Sequence, residues 1–292
     1  MTTLILHPGS PKTATSTLQQ ILRGNRAHLA AEGVGLILPE DLRGKPFLGR
    51  FLSAYRGTEI PDMDQHCAAF FKPFLARHDY VICSEETFCH DFMPSRKFAQ
   101  GGIDRADIAA ALLSRTGAAR TRVVLSIRPQ VDFLISTYTH FVHRHRESND
   151  FATWLTKQVD LPRLLWEPAV QAFRNHFGAE AVHVVSLAMT RQVGMVGYLQ
   201  TMMDAFGIGH LNLEMRTDRV HNPSPSLRAV HLCRVMNREI ANQRRSEIIN
   251  SALVETFPVS EFGKFTPPEW SLSDDLVKLY EADHATALFR PQ

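Results

Sequence analysis

Short apolar runs alternate along the chain with longer segments whose apolar residues recur at helical spacing. The short runs predict β-strands at residues 4–7, 33–38, 80–84, 122–127 and 181–187. The longer segments predict helices at residues 16–31, 65–76, 104–114, 131–144, 161–177, 193–206, 226–243 and 276–288. Strands separated by helices predict an α/β fold, a three-layer sandwich with a mainly parallel sheet covered on both faces.

Local signals define some helix ends and leave three stretches without a predicted structure. Asp104 and Ser226 are suited to cap the helices that follow them, and Gly178 is suited to end the helix before it. Residues 39–62, 88–103 and 244–275 read as irregular connections, in which the specificity of any site would reside. No repeat, low-complexity tract or clean linker divides the chain, so residues 1–292 are predicted to form a single domain.

Composition excludes some functional classes. The net charge of +2 and the pI of about 8.4 give no whole-chain reason to expect nucleic acid as a partner. No apolar run approaches the ~18 residues of a membrane span, and no signal-peptide pattern opens the chain. The four cysteines have no metal-ligand spacing and are expected to be free thiols in a reducing compartment. These features lead us to expect a cytoplasmic protein without integral membrane contact, whose oligomeric state stays open.

The segment LILHPGSPKTATSTLQ, residues 4–19, carries the strongest chemical signal. An apolar strand runs into a turn broken by Pro and Gly, and an amphipathic helix follows. The N–H groups at the start of a helix have no intrahelical partner, and the helix dipole favours an anion there. Lys12 adds a positive charge and the neighbouring hydroxyl residues add hydrogen-bond donors. The sequence therefore predicts a loop that binds an anion, with a simple polar turn as the alternative.

The loop differs from the common nucleotide-binding P-loop. That motif requires a Gly-Lys-Ser/Thr triplet, whereas here Lys12 comes three residues before Thr15 and position 14 is alanine. The arrangement PKTATST resembles instead the 5′-phosphosulfate loop of sulfotransferases, roughly P-K-[ST]-G-[ST]-[ST]. Ala14 departs from the glycine of that family, which is unfavourable if position 14 needs a positive φ.

A second motif lies in the middle of the chain. Arg128 ends a predicted strand and Ser136 follows eight residues later, about two helical turns on, so both side chains could reach one phosphate. The same strand-Arg and plus-eight Ser pattern is found in the 3′-phosphate motif of sulfotransferases. Taken one at a time, each residue has a simpler explanation: Arg128 could form a surface ion pair, and Ser136 could occupy a face of the helix without binding anything.

The resemblance implies an enzyme that transfers a sulfuryl group from 3′-phosphoadenosine-5′-phosphosulfate (PAPS), releasing 3′-phosphoadenosine-5′-phosphate (PAP), without a metal. The acceptor would be a hydroxyl, or an amine, of a carbohydrate, a lipid or a small metabolite. In this reading the fold is P-loop-like, and Lys12 faces the bridging oxygen of the phosphosulfate. The cofactor-binding residues it implies are Pro11, Lys12, Thr13, Ala14, Thr15, Ser16, Thr17, Arg128 and Ser136.

The proton acceptor is expected after the strand YVICS, where Glu85 and Glu86 follow Ser84. A strand followed by S-x-E resembles a related bacterial group, which favours Glu86 as the base and places Glu85 second. The alternative is that one or both carboxylates cap a helix or pair with an arginine. His7 directly precedes the loop and is a further candidate, although a packed histidine that hydrogen-bonds the turn is the more ordinary reading.

Two polar segments are weaker candidates for substrate contacts. Arg219, His221 and Asn222 precede a late helix, where similar bacterial sulfotransferases have an N-x-S-x-S stretch. The run HRHR at residues 143–146 ends the helix that carries Ser136. It could complement that helix C-terminus, which is the favoured reading, or meet an acidic acceptor such as a polysaccharide.

Two other functions stay open at this stage. A nucleotide kinase or NTPase would require magnesium ligands and the missing Gly-Lys-Ser/Thr triplet. A module that binds a nucleotide without turnover would not need Lys12 and Glu86 to face each other.

Overall fold

The computed structural model describes residues 2–89, 105–215, 224–267 and 270–289. It contains one five-stranded sheet in which every neighbouring pair is parallel, with the strand order β2-β3-β1-β4-β5. The strands are β1 (Thr3–His7), β2 (Val34–Ile37), β3 (Tyr80–Ser84), β4 (Arg120–Ile127) and β5 (Val182–Ser186). The predicted α/β fold with a parallel sheet is confirmed.

Helices connect the strands and continue after the last one. Those before β4 are α1 (Thr15–Gly24), α2 (Arg26–Ala31), α3 (Pro39–Leu42), α4 (Pro46–Tyr55), α5 (Met63–Leu75) and α6 (Ala106–Leu113). Those between β4 and β5 are α7 (Gln130–Arg144), α8 (Phe151–Gln158) and α9 (Trp166–Phe177). After β5 come α10 (Thr190–Phe206), α11 (Leu227–Glu239), α12 (Gln243–Thr256), α13 (Val259–Phe262) and α14 (Asp274–Leu288).

The alternation of side chains along each strand divides the core into two layers. In β1, Ile5 packs on the face covered by α1, α2 and α10, whereas Leu4 and Leu6 pack on the face covered by α4, α5, α6, α7 and α9. Both faces of the sheet are therefore buried, which explains why the strands read as continuous apolar runs. The three-layer arrangement follows from this division.

The carboxyl ends of three adjacent strands bring remote segments together. His7 at the end of β1 is in register with Ser84 at the end of β3, and β4 ends beside them on the other side of β1. In an open parallel sheet ligands bind at this edge. The loops that follow β1, β3 and β4 carry the predicted site residues.

Several helix boundaries differ from the sequence prediction. The stretch 39–62 is not irregular throughout, because α3 and α4 each begin with a proline in the first turn, where proline is favoured. The helix predicted over 16–31 is broken at Asn25, whose side-chain amide donates to the carbonyl oxygens of Ile21 and Glu214. Helices α8 and α12 were not predicted.

One helix start is determined by a distant residue. The helix predicted from residue 161 begins only at Trp166, because the carboxylate of Asp283 accepts hydrogen bonds from the N–H groups of Trp166 and Glu167. Asp283 lies in α14, more than a hundred residues away in sequence. By contrast, Ser226 caps α11 as predicted, since its hydroxyl accepts from the N–H of Ala229 at 3.1 Å. Asp104, the other predicted cap, lies outside the described residues.

The four cysteines are free and buried. Within the described ranges, none of the helices is both long enough and apolar enough to cross a membrane.

Candidate functional site

The loop between β1 and α1 has an unusual backbone. Gly9, Lys12 and Ala14 all have positive φ values, of 58°, 68° and 62°. Glycine adopts this region without strain, whereas a residue with a Cβ is disfavoured there by roughly 1–2 kcal/mol. Position 14 thus has a backbone conformation that favours glycine, the residue found there in the sulfotransferase motif. In this chain an alanine adopts that conformation.

The first turn of α1 has no side-chain cap. Ala14 occupies the N-cap position and has no side-chain oxygen to accept a hydrogen bond. The first-turn N–H groups therefore face the loop, together with the positive end of the helix dipole. Ser16 is exposed and Thr17 is partly exposed, so their hydroxyls are accessible from the same side, while Pro11 lies at the loop surface.

Two of the predicted hydroxyl residues point into the protein instead. The Thr13 side chain is 1% exposed, and its hydroxyl donates to the carbonyl oxygen of Ser10 at 2.6 Å. Thr15 is also buried, with its Oγ1 3.5 Å from that of Thr13. Only backbone atoms of Thr13 and Thr15 are thus well placed for a ligand, and their side chains support the loop.

A buried polar network holds the loop on the sheet. His7 is fully buried, with Nδ1 2.8 Å from Ser84 Oγ and Nε2 2.9 Å from Ser126 Oγ. Thr13 Oγ1 lies 3.1 Å from Ser126 Oγ, within hydrogen-bond distance, and the Tyr198 hydroxyl donates to the Thr13 carbonyl at 3.0 Å. Burial lowers the pKa of His7 to about 4, so its imidazole is neutral. His7 therefore has the packed, hydrogen-bonded position that was the more ordinary reading of it.

Lys12 lies partly buried among other charges. Burial lowers its pKa to about 8, the nearby Glu86 carboxylate opposes that effect, and the Arg128 and Arg144 guanidinium groups add to it. A lysine held among cations is stabilised in its charged form by an incoming anion. The structure thus brings Lys12, Glu86 and Arg128 within electrostatic range of one another.

Arg128 meets the loop directly. Its Nη1 donates to the carbonyl oxygen of Lys12 at 3.1 Å, and its own carbonyl accepts from the Trp166 indole N–H at 2.7 Å. Burial lowers the pKa of this guanidinium, opposed by Asp132. The two motifs recognised in the sequence, separated by more than a hundred residues, therefore meet in the folded chain through Arg128 and the Lys12 backbone.

Ser136 lies on α7, which follows Arg128. It is partly exposed and lies one helical turn before His140, a residue whose charge interacts with that of Lys12. Residues four apart on a helix share a face, so Ser136 faces the loop side of α7.

The two glutamates after β3 have different environments. Glu85 is 0% exposed and forms a two-point ion pair with Arg43, at 2.9 Å and 3.1 Å, and it also accepts from the Thr87 N–H at 2.9 Å. Glu86 is 35% exposed, with its Oε1 3.8 Å from Arg43 Nη2. It borders the loop, since a Cβ added to Gly9 would lie 3.5 Å from Glu86 Cβ. Glu85 therefore has the arginine-paired role, and Glu86 is the carboxylate that a ligand can approach.

Two residues of the site, Arg43 and His140, escaped the sequence analysis. Arg43 lies in a stretch read as irregular, and nothing in its neighbourhood indicated that it would join Glu85 and Glu86. His140 was visible only as part of a helix, whereas Arg144 belongs to the HRHR run at residues 143–146 that the sequence had already singled out; their four-residue spacing places the two side chains on one face. The candidates Arg219, His221 and Asn222 lie outside the described residues.

Comparisons with known proteins give limited information. No protein-family model matches the chain, and no curated protein has a similar sequence. Among solved structures, a sulfotransferase from Alicyclobacillus acidocaldarius aligns with 88% of this chain and 95% of its own, with a TM-score of 0.43 and 16% identity. A gluconokinase from Sinorhizobium meliloti 1021 aligns with 70% of this chain and 96% of its own, with a TM-score of 0.30 and 14% identity. Both similarities are too low to assign a function to this chain.

Proposed function

We propose that this protein is a PAPS-dependent sulfotransferase that modifies a hydroxyl or amine acceptor. The observation that carries the proposal is the meeting of three segments at one sheet edge: Lys12 in an uncapped loop, Arg128 after β4, and Glu86 after β3. This combination supplies cations and N–H donors for a ligand with several negative charges, and a carboxylate beside them.

The residues present fit such a ligand. The uncapped N-terminus of α1 and the Lys12 ammonium suit the 5′-phosphosulfate, while Arg128 and Ser136 suit the 3′-phosphate. PAPS would supply the sulfuryl group and leave as PAP. The accessible hydroxyls of Ser16 and Thr17 would add hydrogen bonds to the same anion.

Each site residue then has a distinct chemical task. Glu86 holds its carboxylate beside the loop, where it can accept the proton of the acceptor hydroxyl as that oxygen becomes a nucleophile. Lys12 and the first-turn N–H groups of α1 stabilise the negative charge that develops on the departing phosphate oxygen. Arg43 binds Glu85 at two points and limits the movement of the segment that carries Glu86.

Ligand-dependent thermal stability tests the nucleotide. Because a ligand that binds only the folded state at a hundredfold excess over Kd stabilises it by about 2.7 kcal/mol, PAP without metal should raise Tm clearly. Lys12→Ala and Arg128→Ala should reduce that shift, whereas the exposed-site controls Lys72→Ala and Arg77→Ala should retain it. A shift with Mg-ATP or Mg-GTP and none with PAP would instead identify a nucleotide kinase or NTPase.

Turnover tests the base. Glu86→Gln should retain the PAP-induced Tm shift but slow PAP release from PAPS, measured over a panel of hydroxyl acceptors, by roughly 10²–10⁴-fold. The exposed Glu32→Gln is the matched control and should be unaffected. If Glu86→Gln keeps full turnover, the base is another group. If the native protein binds PAP but releases none from PAPS, the module that binds without turnover is the correct reading.

A further inference from the structure

The end of α7 and the residue after it carry a group of cationic and imidazole side chains within electrostatic range of Lys12, in which the His143 Nε2 atom also lies 3.2 Å from Ser251 Oγ of α12. His140, His143, Arg144 and His145 form this group, here named the α7 cationic cluster. The charge of Lys12 acts on all three histidines, and that of Arg144 acts on Lys12. The His140 and His145 rings are 5.2 Å apart, so the cluster is compact.

The helix end does not require these side chains for its own hydrogen bonds. Asn237 Nδ2 donates to the carbonyl oxygen of Val142 at 2.8 Å, and Asn250 Nδ2 donates to that of His143 at 3.1 Å. The Gln243 side-chain amide donates to the carbonyl oxygen of Arg144. Since neutral amides from α11 and α12 already satisfy the last carbonyls, capping the helix does not explain the cluster.

Positive charge is in excess around the cluster. Arg144 has no ion pair with a carboxylate in the described part of the chain. The groups that act on the three imidazoles are Lys12 and Arg144, the neighbouring histidines, and one carboxylate, Glu247 of α12. Burial, together with the nearby cations, lowers the pKa of His140 to about 3 and that of His143 to about 4. A bound anion would offset the part of this effect that is due to the cations.

We infer that the α7 cationic cluster, with Lys12, is a subsite for an anionic group of the acceptor. This inference rests on the proposed function, because it takes the partner of the cluster to be the molecule that receives the sulfuryl group. The acceptor is then a hydroxyl compound that also carries a carboxylate, a phosphate or a sulfate. Arg144 provides the permanent charge, and each imidazole gains a second N–H donor and a positive charge on protonation.

The position along α7 separates this subsite from the one proposed for the cofactor. Ser136 lies near the middle of α7, one turn before His140, whereas Arg144, which carries the permanent charge of the cluster, lies two helical turns beyond Ser136, about 12 Å further along the axis. Lys12 interacts with the charges of both Arg128 and Arg144. It is thus near both groups, where a transferred group would pass from one ligand to the other.

Binding to the PAP-saturated protein tests the inference. The probes are methyl β-glucuronide and glucose 6-phosphate, with methyl β-glucoside as the neutral reference and dissociation constants measured by NMR. We expect either anionic probe to bind roughly tenfold tighter than the neutral one. Arg144→Gln should remove most of that preference, while Arg77→Gln, the same charge change at the opposite edge of the sheet, should preserve it.

Proton uptake gives an independent readout. Because burial and the nearby cations lower the pKa of the three imidazoles and a bound anion raises it, binding should take up protons at about pH 5. Calorimetry in two buffers with different ionisation enthalpies measures the number of protons taken up when the probe binds. His140→Gln should reduce that number.

Three results would overturn the inference. Equal affinity for the neutral and anionic probes means that the cluster does not select charge. A shift of the His140, His143 and His145 NMR signals by PAP alone, with no further change on adding an anionic probe, assigns the cluster to the cofactor and leaves the proposed function intact. Absence of PAP binding removes the proposed function itself, and the acceptor subsite with it.

Discussion

The alanine at position 14 allows a direct test of the loop conformation. Its φ of 62° and ψ of 21° lie in the left-handed region, where a Cβ costs roughly 1–2 kcal/mol. Ala14→Gly removes that cost. It also gives the unfolded chain freedom worth about 0.4–1 kcal/mol, and the partly buried methyl loses a fraction of about 0.8 kcal/mol of burial. We therefore expect a net stabilisation of roughly 0.5 kcal/mol.

A second Ala→Gly variant supplies the reference. Ala252 is exposed in the middle of α12, and Ala252→Gly should destabilise the fold by about 1 kcal/mol. Both variants remove the same methyl group and raise the entropy of the unfolded chain equally. The difference between their free energies of unfolding, roughly 1.5 kcal/mol, therefore reports mainly on φ at position 14. Urea denaturation measures both values, with equal m-values as the check on a shared unfolded state.

The reasoning fails if the two variants lose the same stability. That result would mean that position 14 is not left-handed in solution, and that the absence of the family's glycine has no energetic consequence. Gly9→Ala is the converse test, because it adds a Cβ at a residue whose φ is +58°. The added Cβ would make only ordinary van der Waals contacts, so any loss of stability reports on the backbone conformation. The variant should destabilise the fold by about 1 kcal/mol or more.

Three further predictions concern charged and titrating groups. Between pH 7 and pH 5 the native protein should lose about 2 kcal/mol more stability than His7→Gln, because a folded-state pKa of about 4 lies below the unfolded value and protonation favours unfolding. PAP affinity should fall from about pH 8 upward as the Lys12 ammonium deprotonates, and it should stay level in Lys12→Arg. Arg43→Ala should destabilise the fold by about 2 kcal/mol, because it leaves the buried Glu85 carboxylate without its cation.

Each of these has a defined measurement and a contradicting result. Urea titrations at both pH values test His7, and an identical loss in native protein and variant would show that its imidazole is not held neutral. Calorimetric PAP titrations from pH 7 to pH 9.5 test Lys12, and parallel profiles for lysine and arginine would exclude its titration. For Arg43 the double variant Arg43→Ala/Glu85→Gln should lose less than the sum of the single variants, and strict additivity would contradict the ion pair.

The strands and the central loop were predictable because their signals are local. An apolar run of a few residues predicts a buried strand whatever lies around it, and a lysine among hydroxyl residues after such a strand indicates an anion-binding loop. The prediction that Arg128 and Ser136 bind one phosphate rests likewise on spacing within a single strand-helix unit. Even the unfavourable φ at Ala14 could be anticipated, because glycine is what the resembling motif has there.

Other features depended on residues far apart in sequence. The start of α9 is determined by Asp283. The break after α1 is stabilised in part by a hydrogen bond from the Asn25 side-chain amide to the carbonyl oxygen of Glu214. The choice between Glu85 and Glu86 rested on Arg43, more than forty residues away, which pairs with the first and leaves the second approachable. No local pattern contains that information, since the energy of an ion pair depends on distance and burial in the folded state.

The sequence by itself determined the class of fold, and it located the loop predicted to bind an anion and the arginine that accompanies it. The tertiary structure decided which hydroxyls of the loop are exposed, which glutamate is approachable, and that the end of α7 adds a cationic cluster near Lys12. The division has a physical reason. Hydrophobic periodicity and turn chemistry act over a few residues, whereas electrostatic fields and burial arise only when remote segments pack together.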